Sequence, residues 1–232
     1  MNLFLLQIPL TTDSLSAPVI TEKTLSVIDL ITSGGIGGNL VMGALGLLSV
    51  FAVYILIERF SAIRKASIED DSFLKSIQNF VEAKDIEAAK TLCRNTDTPI
   101  SRMIEKGVNR INKPMTDISA AIENQGKLEV FKMENNLANL ATISGAAPMI
   151  GFLGTVIGMI VAFHEMASAG GNIDVEMLSK GIYTAMTTTV AGLVVGIIAF
   201  IAYNYLVSKV DKVVFMLEAK TTEFLDLLHH NE

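Results

Sequence analysis

The run APMIGFLGTVIGM, residues 147–159, decides how the chain folds. Three glycines, a proline and a threonine stand in a stretch, 135–163, that holds no charged side chain. In a water-exposed helix each interior Gly costs about 1 kcal/mol relative to Ala. Inside a bilayer the same small residues are useful, because they let helix backbones approach closely. Two further stretches, 30–57 and 181–208, also lack charge. All three exceed the ~20 residues needed to span a membrane, so each has length to tilt or extend past the hydrocarbon.

The rest of the composition agrees. Half of the 232 residues are hydrophobic, mean hydropathy is +0.48 and Trp is absent. The net charge is −6, and no dense basic patch offers a nucleic-acid footprint. Lys and Arg placement sets an orientation. Residues 58–134 hold 13 of the 18 basic side chains, 164–179 hold none, and the first 30 residues hold only Lys23. Lys209, Lys212 and Lys220 follow the third stretch.

The expected fold is therefore an all-α membrane protein. It has an outside N-terminal segment (1–33), transmembrane helix 1 (34–57) and a small cytoplasmic helical domain (58–134). Transmembrane helix 2 (135–163), a short outside loop (164–180), transmembrane helix 3 (181–208) and a cytoplasmic C-terminal helix (209–232) follow. MNLFLLQIPL at the start is apolar but short, and without a basic n-region a cleaved signal peptide has little support. Leu25, Ile28 and Ile31 recur every three residues. They fit either an amphipathic helix on the outer membrane face or, for 21–26, an extension of the first span.

Residues 58–134 read as helices throughout. Phe73, Ile77 and Phe80 share a face, as do Ile86, Ala89 and Leu92/Cys93. Asp85 is placed to cap the second of these helices. Thr98 followed by Pro99 opens a third, carrying Ile100, Ile104, Val108 and Ile111. Pro114 breaks the chain, and Thr116 or Asp117 caps a helix expected to run unbroken into transmembrane helix 2. Val210, Val213/Val214, Leu217, Phe224 and Leu228 extend the third span as an amphipathic helix. Two spans thus project into the cytoplasm, with their mixed charges on a solvated face. Cys93, the single cysteine, reads as a buried small hydrophobe.

No Asp, Glu, Lys, Arg or His lies within the spans, so this chain supplies no intramembrane carboxylate of the kind a proton relay uses. It offers hydroxyls instead: Thr142, Ser144 and Thr155, then Thr184, Thr187, Thr188 and Thr189. Thr155 shares a helix face with Gly151, Gly158 and Ala162, and Thr189 with Ala185, Gly192 and Gly196. Gly154/Gly158 and Gly192/Gly196 form small-xxx-small pairs. Two readings fit: hydroxyls facing a polar path, or ordinary packing with each Thr bonded to its own i−4 carbonyl.

APMIGFLGTVIGMIVAF (147–163) resembles the second-span signature of the MotA/TolQ/ExbB proton-channel proteins, and GIYTAMTTTVAGLVVGIIAFIAYNYL (181–206) their third. Pro148, Tyr203 and Asn204 belong to these motifs. VIDLITSGG, IERF, AAKTLCRN and TPISRMIEKG are also similar, and the short middle domain is closer to ExbB or TolQ than to MotA. The resemblance implies a ring-forming homo-oligomer, pentameric in the family's better-known cases, in the bacterial inner membrane. It implies a one-span ExbD/TolR-like partner whose transmembrane Asp carries the proton, and a TonB-like protein beyond it. It implies pore-lining positions at Thr155 and Thr189, with Thr188 as an additional one, and helix packing at Gly151, Gly154, Gly158, Ala162, Ala185, Gly192 and Gly196. Thr184 stands where relatives often carry Glu, and Ile198 where they often carry Pro. These departures leave titration to the partner and remove a kink from the third span. The function implied is that of an ExbB-like subunit energising outer-membrane transport. The alternatives are a TolQ-like subunit for outer-membrane integrity or motility, and a non-conducting scaffold. No cofactor is expected. His164, Glu165, Asp174 and Glu176 form no recognisable ligand motif, so neither a metal site nor an enzyme is expected, and His229 and His230 sit in the tail.

Overall fold

The computed structural model describes residues 35–67, 71–168 and 175–230. The N-terminal segment, including the amphipathic pattern of Leu25, Ile28 and Ile31, and Asp174 lie outside them. Seven α-helices and no strand occur among the described residues: α1 (Gly35–Ala66), α2 (Asp71–Glu82), α3 (Ile86–Thr96), α4 (Pro99–Val108), α5 (Met115–Glu134), α6 (Leu137–Ser168) and α7 (Val175–His230). Three helical stretches are long and apolar enough to cross a membrane: Gly37–Ala66, Met115–Ser168 and Leu178–His229. Leu47, Val50, Phe152, Ile160, Val190 and Ile197 stand exposed on them, as expected where the surroundings are apolar.

The small helices obey local rules. Asp85 caps α3 by accepting the Ala88 N–H at 3.0 Å. Thr98 and Ser101 cap α4 reciprocally, with Pro99 in its first turn. Between them Asp97 takes a left-handed conformation (φ 41°) that ends α3. Two expectations fail. α5 begins at Met115, directly after Pro114, without a side-chain cap from Thr116 or Asp117. Nor does it run unbroken into the second span: it stops at Glu134, and Asn136 adopts φ 64° before α6 starts. Asparagine reaches the left-handed region more readily than other non-glycine residues, which lets the Asn135–Asn136 pair turn the chain between two helices.

α7 is continuous over 56 residues, about 84 Å at 1.5 Å per residue. One half packs along α6 and α1. The other threads the bundle of α2 to α5, burying Val210, Val213, Leu217, Phe224 and Leu228. There Ile77, Ile104 and Ile122 are fully buried as well. A methyl group on Gly107 would stand 2.7 Å from the Ile122 side chain and 2.8 Å from Phe224, so the glycine admits both. Cys93 is buried, and desolvation pushes its thiol up to about 12. Such a group stays a neutral thiol at physiological pH, as a packing residue would.

Candidate functional site

The small residues of α6 and α7 meet one another. A methyl on Gly192 would lie 2.5 Å from the Ala147 carbonyl oxygen and 2.9 Å from the Gly151 Cα. Added to Gly158 it would touch the Ala185 Cβ at 2.9 Å, and added to Gly181 it would meet the Ala162 Cβ at 2.5 Å. Gly154 faces the Thr188 hydroxyl. Gly196 lies against the Pro148 ring and the Ser144 carbonyl. Pro148 has no N–H, so it cannot donate to that carbonyl, its i−4 partner in the helix. The glycine brings the α7 backbone up to the place where the helix ladder is interrupted. α1 closes one side of the seam, with Val41 beside Gly154 and Gly37 beside Ile157.

Close approach brings hydroxyls of one helix to carbonyls of the other. Thr188 Oγ1 donates to the Gly151 carbonyl at 3.2 Å or to its own helix at Ala185 (2.7 Å). Thr189 Oγ1 donates to the Gly151 carbonyl at 3.1 Å. Thr155 Oγ1 lies 3.2 Å from the Ala185 carbonyl and 3.4 Å from that of Gly151, and it also pairs with the Thr189 hydroxyl. Thr142, Ser144 and Thr187 bond instead to carbonyls of their own helices. Thr142 and Thr187 thus bond to their own i−4 carbonyls, whereas Thr155, Thr188 and Thr189 also bond across the seam. Thr188 is buried in the seam at 2% exposure, whereas Thr155 and Thr189 are half-buried.

Each hydroxyl has one hydrogen and two lone pairs. Thr155 and Thr189 have alternative acceptors in the two carbonyls and in each other. Neither hydroxyl titrates, but either can donate to a carboxylate or accept from a carboxylic acid by exchanging one of these bonds for another. Tyr203 is half-buried against the core, and Asn204 is exposed and donates to the Phe200 carbonyl at 2.8 Å. Thr184 is buried, Ile198 exposed.

A second polar cluster escaped sequence reasoning. Glu129 is 2% exposed, against the expectation that the charges outside the spans lie on a solvated face. Arg102 grips it with two bonds, at 3.1 and 2.7 Å, and Lys132 and Gln125 add one each at 2.9 and 2.7 Å. Burial by itself raises the Glu129 pKa, but the bonds from Arg102 and Lys132 outweigh it and leave the carboxyl below its ordinary value. Arg59, buried at the end of the first span, donates to the Lys132 carbonyl at 2.9 Å and pairs with Glu58. Arg102 and Glu129 are 27 residues apart, Arg59 and Lys132 73. No local pattern joins residues so distant.

His164, Glu165, Glu176 and His229 are exposed, and no cluster able to hold a metal occurs among the described residues.

Residues 95–219 match the family described as the MotA/TolQ/ExbB proton channel family. Among curated proteins, an ExbB homolog of Methanothermobacter thermautotrophicus is 27% identical over 80% of this chain and 64% of its own length. The biopolymer transport protein ExbB of Helicobacter pylori is 40% identical over 34% of this chain and 54% of its own. In both cases the matched region is under two thirds of the relative's length. The Tol-Pal system protein TolQ of Pseudomonas aeruginosa is 25% identical over 91% of this chain and 96% of its own.

Proposed function

Because the chain belongs to the MotA/TolQ/ExbB proton channel family, we propose that it is the hydroxyl-bearing wall of an inner-membrane proton channel of the ExbB–ExbD kind. Copies of the chain form a ring, a pentamer in this reading, around a one-span ExbD/TolR-like partner. The partner's transmembrane Asp takes up a proton on the outside and releases it inside. The N-terminus is periplasmic, and α2 to α5 and the end of α7 are cytoplasmic. The free energy drives a TonB-like protein and, through it, outer-membrane transport.

The carrying observation is the exchangeable hydroxyl pair, Thr155 with Thr189, in spans that hold no charge. An unsolvated charge at mid-membrane costs at least ~3 kcal/mol. A hydroxyl that donates to the carboxylate and accepts from the acid lowers that cost in both states. Thr188, deeper in the seam, braces the Gly151 carbonyl behind them. Each proton crossing 100 mV releases about 2.3 kcal/mol, so a few protons suffice to shift a packed helix interface.

A TolQ-like role in envelope integrity is the second reading, favoured by the end-to-end match to the Pseudomonas protein.

The test is proton flux into liposomes holding the chain with its one-span partner. Thr155→Val and Thr189→Val, close to isosteric, are expected to lower flux about 10- to 100-fold, the worth of one hydrogen bond to a charged group, while the complex still assembles. Unchanged flux in both variants, or full flux from this chain alone, would overturn the reading. A complex that assembles and passes no protons even as wild type would identify a scaffold.

A further inference from the structure

At the end of the charge-free part of the spans, α1 and α7 enclose a cavity of about 310 Å³ that the hydroxyl site does not use. Its wall includes Phe60, Arg64 and Ser67 of α1 and Tyr205 and Lys209 of α7. The rings of Phe60 and Tyr205 stack with centroids 6.4 Å apart. Lys209 Nζ sits 5.5 Å from the Tyr205 ring centroid, within cation–π range. Arg64 and Lys209 are exposed, and neither forms an ion pair among the described residues. Among the described residues the acidic neighbours are engaged or turned away. Glu58 is paired with Arg59, and Asp211, two residues beyond Lys209, points about 200° around the helix from it.

The level of this cavity matters. Charge-free sequence ends at Ile57 on α1 and at Ser208 on α7, so Arg64 lies about two turns past it and Lys209 stands directly at its end. Aromatic rings and basic residues mark the headgroup zone of membrane proteins. Nearer mid-membrane a separate narrow cleft of about 50 Å³ lies between the same two helices, walled mainly by apolar side chains such as Val53, Leu56, Ile198, Ala199 and Ala202, with Ser49 of α1 and Leu140 of α6 also in its lining. The two alanines thin α7 where leucines would fill the gap. Beside it Ile57 and Ile201 stand exposed. The composite is cationic and aromatic at one end and apolar along the rest.

The geometry points to a binding site for one anionic glycerophospholipid, its phosphate held by Arg64 and Lys209 and an acyl chain laid along the α1–α7 cleft. The lipid would tie the first span to the third at a level where the two helices leave an unfilled gap between them. This site goes beyond the proposed proton path and does not depend on it, since it requires only that α1 and α7 sit in a bilayer.

The test uses the full chain in phosphatidylcholine nanodiscs containing a minority of phosphatidylglycerol. After gentle extraction, the lipid retained by the protein is quantified by mass spectrometry. Phosphatidylglycerol is expected to be enriched over its bulk share. Arg64→Gln and Lys209→Gln are each expected to cut the enrichment about fivefold, the contribution of one interfacial cation. Lys65→Gln, on the same turn of α1 but outside the cavity wall, is expected to leave it unchanged. Enrichment absent in the wild type, or lost equally in Lys65→Gln, would overturn the site. Inorganic phosphate retained in pure phosphatidylcholine discs, with the same dependence on Arg64 and Lys209, would overturn the lipid as its occupant. All three side chains are exposed, so thermal unfolding of the variants is expected to match wild type.

Discussion

At Gly192 a single methyl group would lie 2.5 Å from the Ala147 carbonyl oxygen. Backbone cannot yield as a flexible side chain can, so α6 and α7 would have to part. Gly192→Ala is expected to destabilise the protein by about 1–3 kcal/mol, the usual cost of overpacking, read as a lower thermal midpoint in detergent. Gly43→Ala is the control, because nothing lies within 4 Å of the added carbon, and it is expected to leave the midpoint unchanged or slightly raised. The sequence marks the small residues by their four-residue spacing but not the surface they meet. That Gly192 faces Ala147 and Gly151, and Gly158 faces Ala185, depends on how two helices cross that bring together residues 27 to 45 positions apart. Likewise, Thr155, Thr188 and Thr189 bond across the seam while Thr142 and Thr187 bond within their own helices. All five are the same residue type in the same apolar setting, and only the packed neighbour tells them apart.

Helix existence was legible wherever a strong local signal stood: the Asp85 cap, the Thr98–Pro99 start, the charge-free runs. The break between α5 and α6 was not. Asn135 and Asn136 are acceptable helix residues, and nothing at this point in the sequence is as emphatic as Pro114. What makes the break is the left-handed backbone at Asn136, with φ 64°. A β-branched side chain is badly placed there, so Asn136→Ile is expected to cost about 1–2 kcal/mol. Asn136→Gly, free of that penalty, is expected to be close to neutral. Denaturant titration of the two variants side by side checks the difference. Equal losses would mean that the Asn136 amide, which accepts from Asn139 at 3.3 Å, carries the effect rather than the backbone.

Across the whole molecule, the Glu129 cluster joins three parts of the chain. Arg102 of α4 holds it from one side, and Arg59 of α1 is tied to the same turn of α5 through the Lys132 carbonyl. With the folded pKa depressed, the carboxylate stabilises the fold above its unfolded value of about 4.3. That contribution disappears as pH falls through the lower, folded value. Glu129→Gln is expected to cost about 1.5–3 kcal/mol near neutrality, as for hydrogen bonds to a charged group. The gap between variant and wild type is expected to narrow as pH falls below about 4.3 and to close once it passes the folded value, which denaturation curves across that range will measure. A constant gap would show that shape, not charge, is what Glu129 supplies. Connection through the charged cluster is matched by connection through α7, whose helix has no break between the hydroxyl pair and the far bundle. From Thr189 to His230 it is about 60 Å of stiff rod. A pivot of a few degrees among the glycines would therefore swing the distal tip through several ångströms, which gives α7 the geometry of a lever arm between the hydroxyl pair and the far bundle.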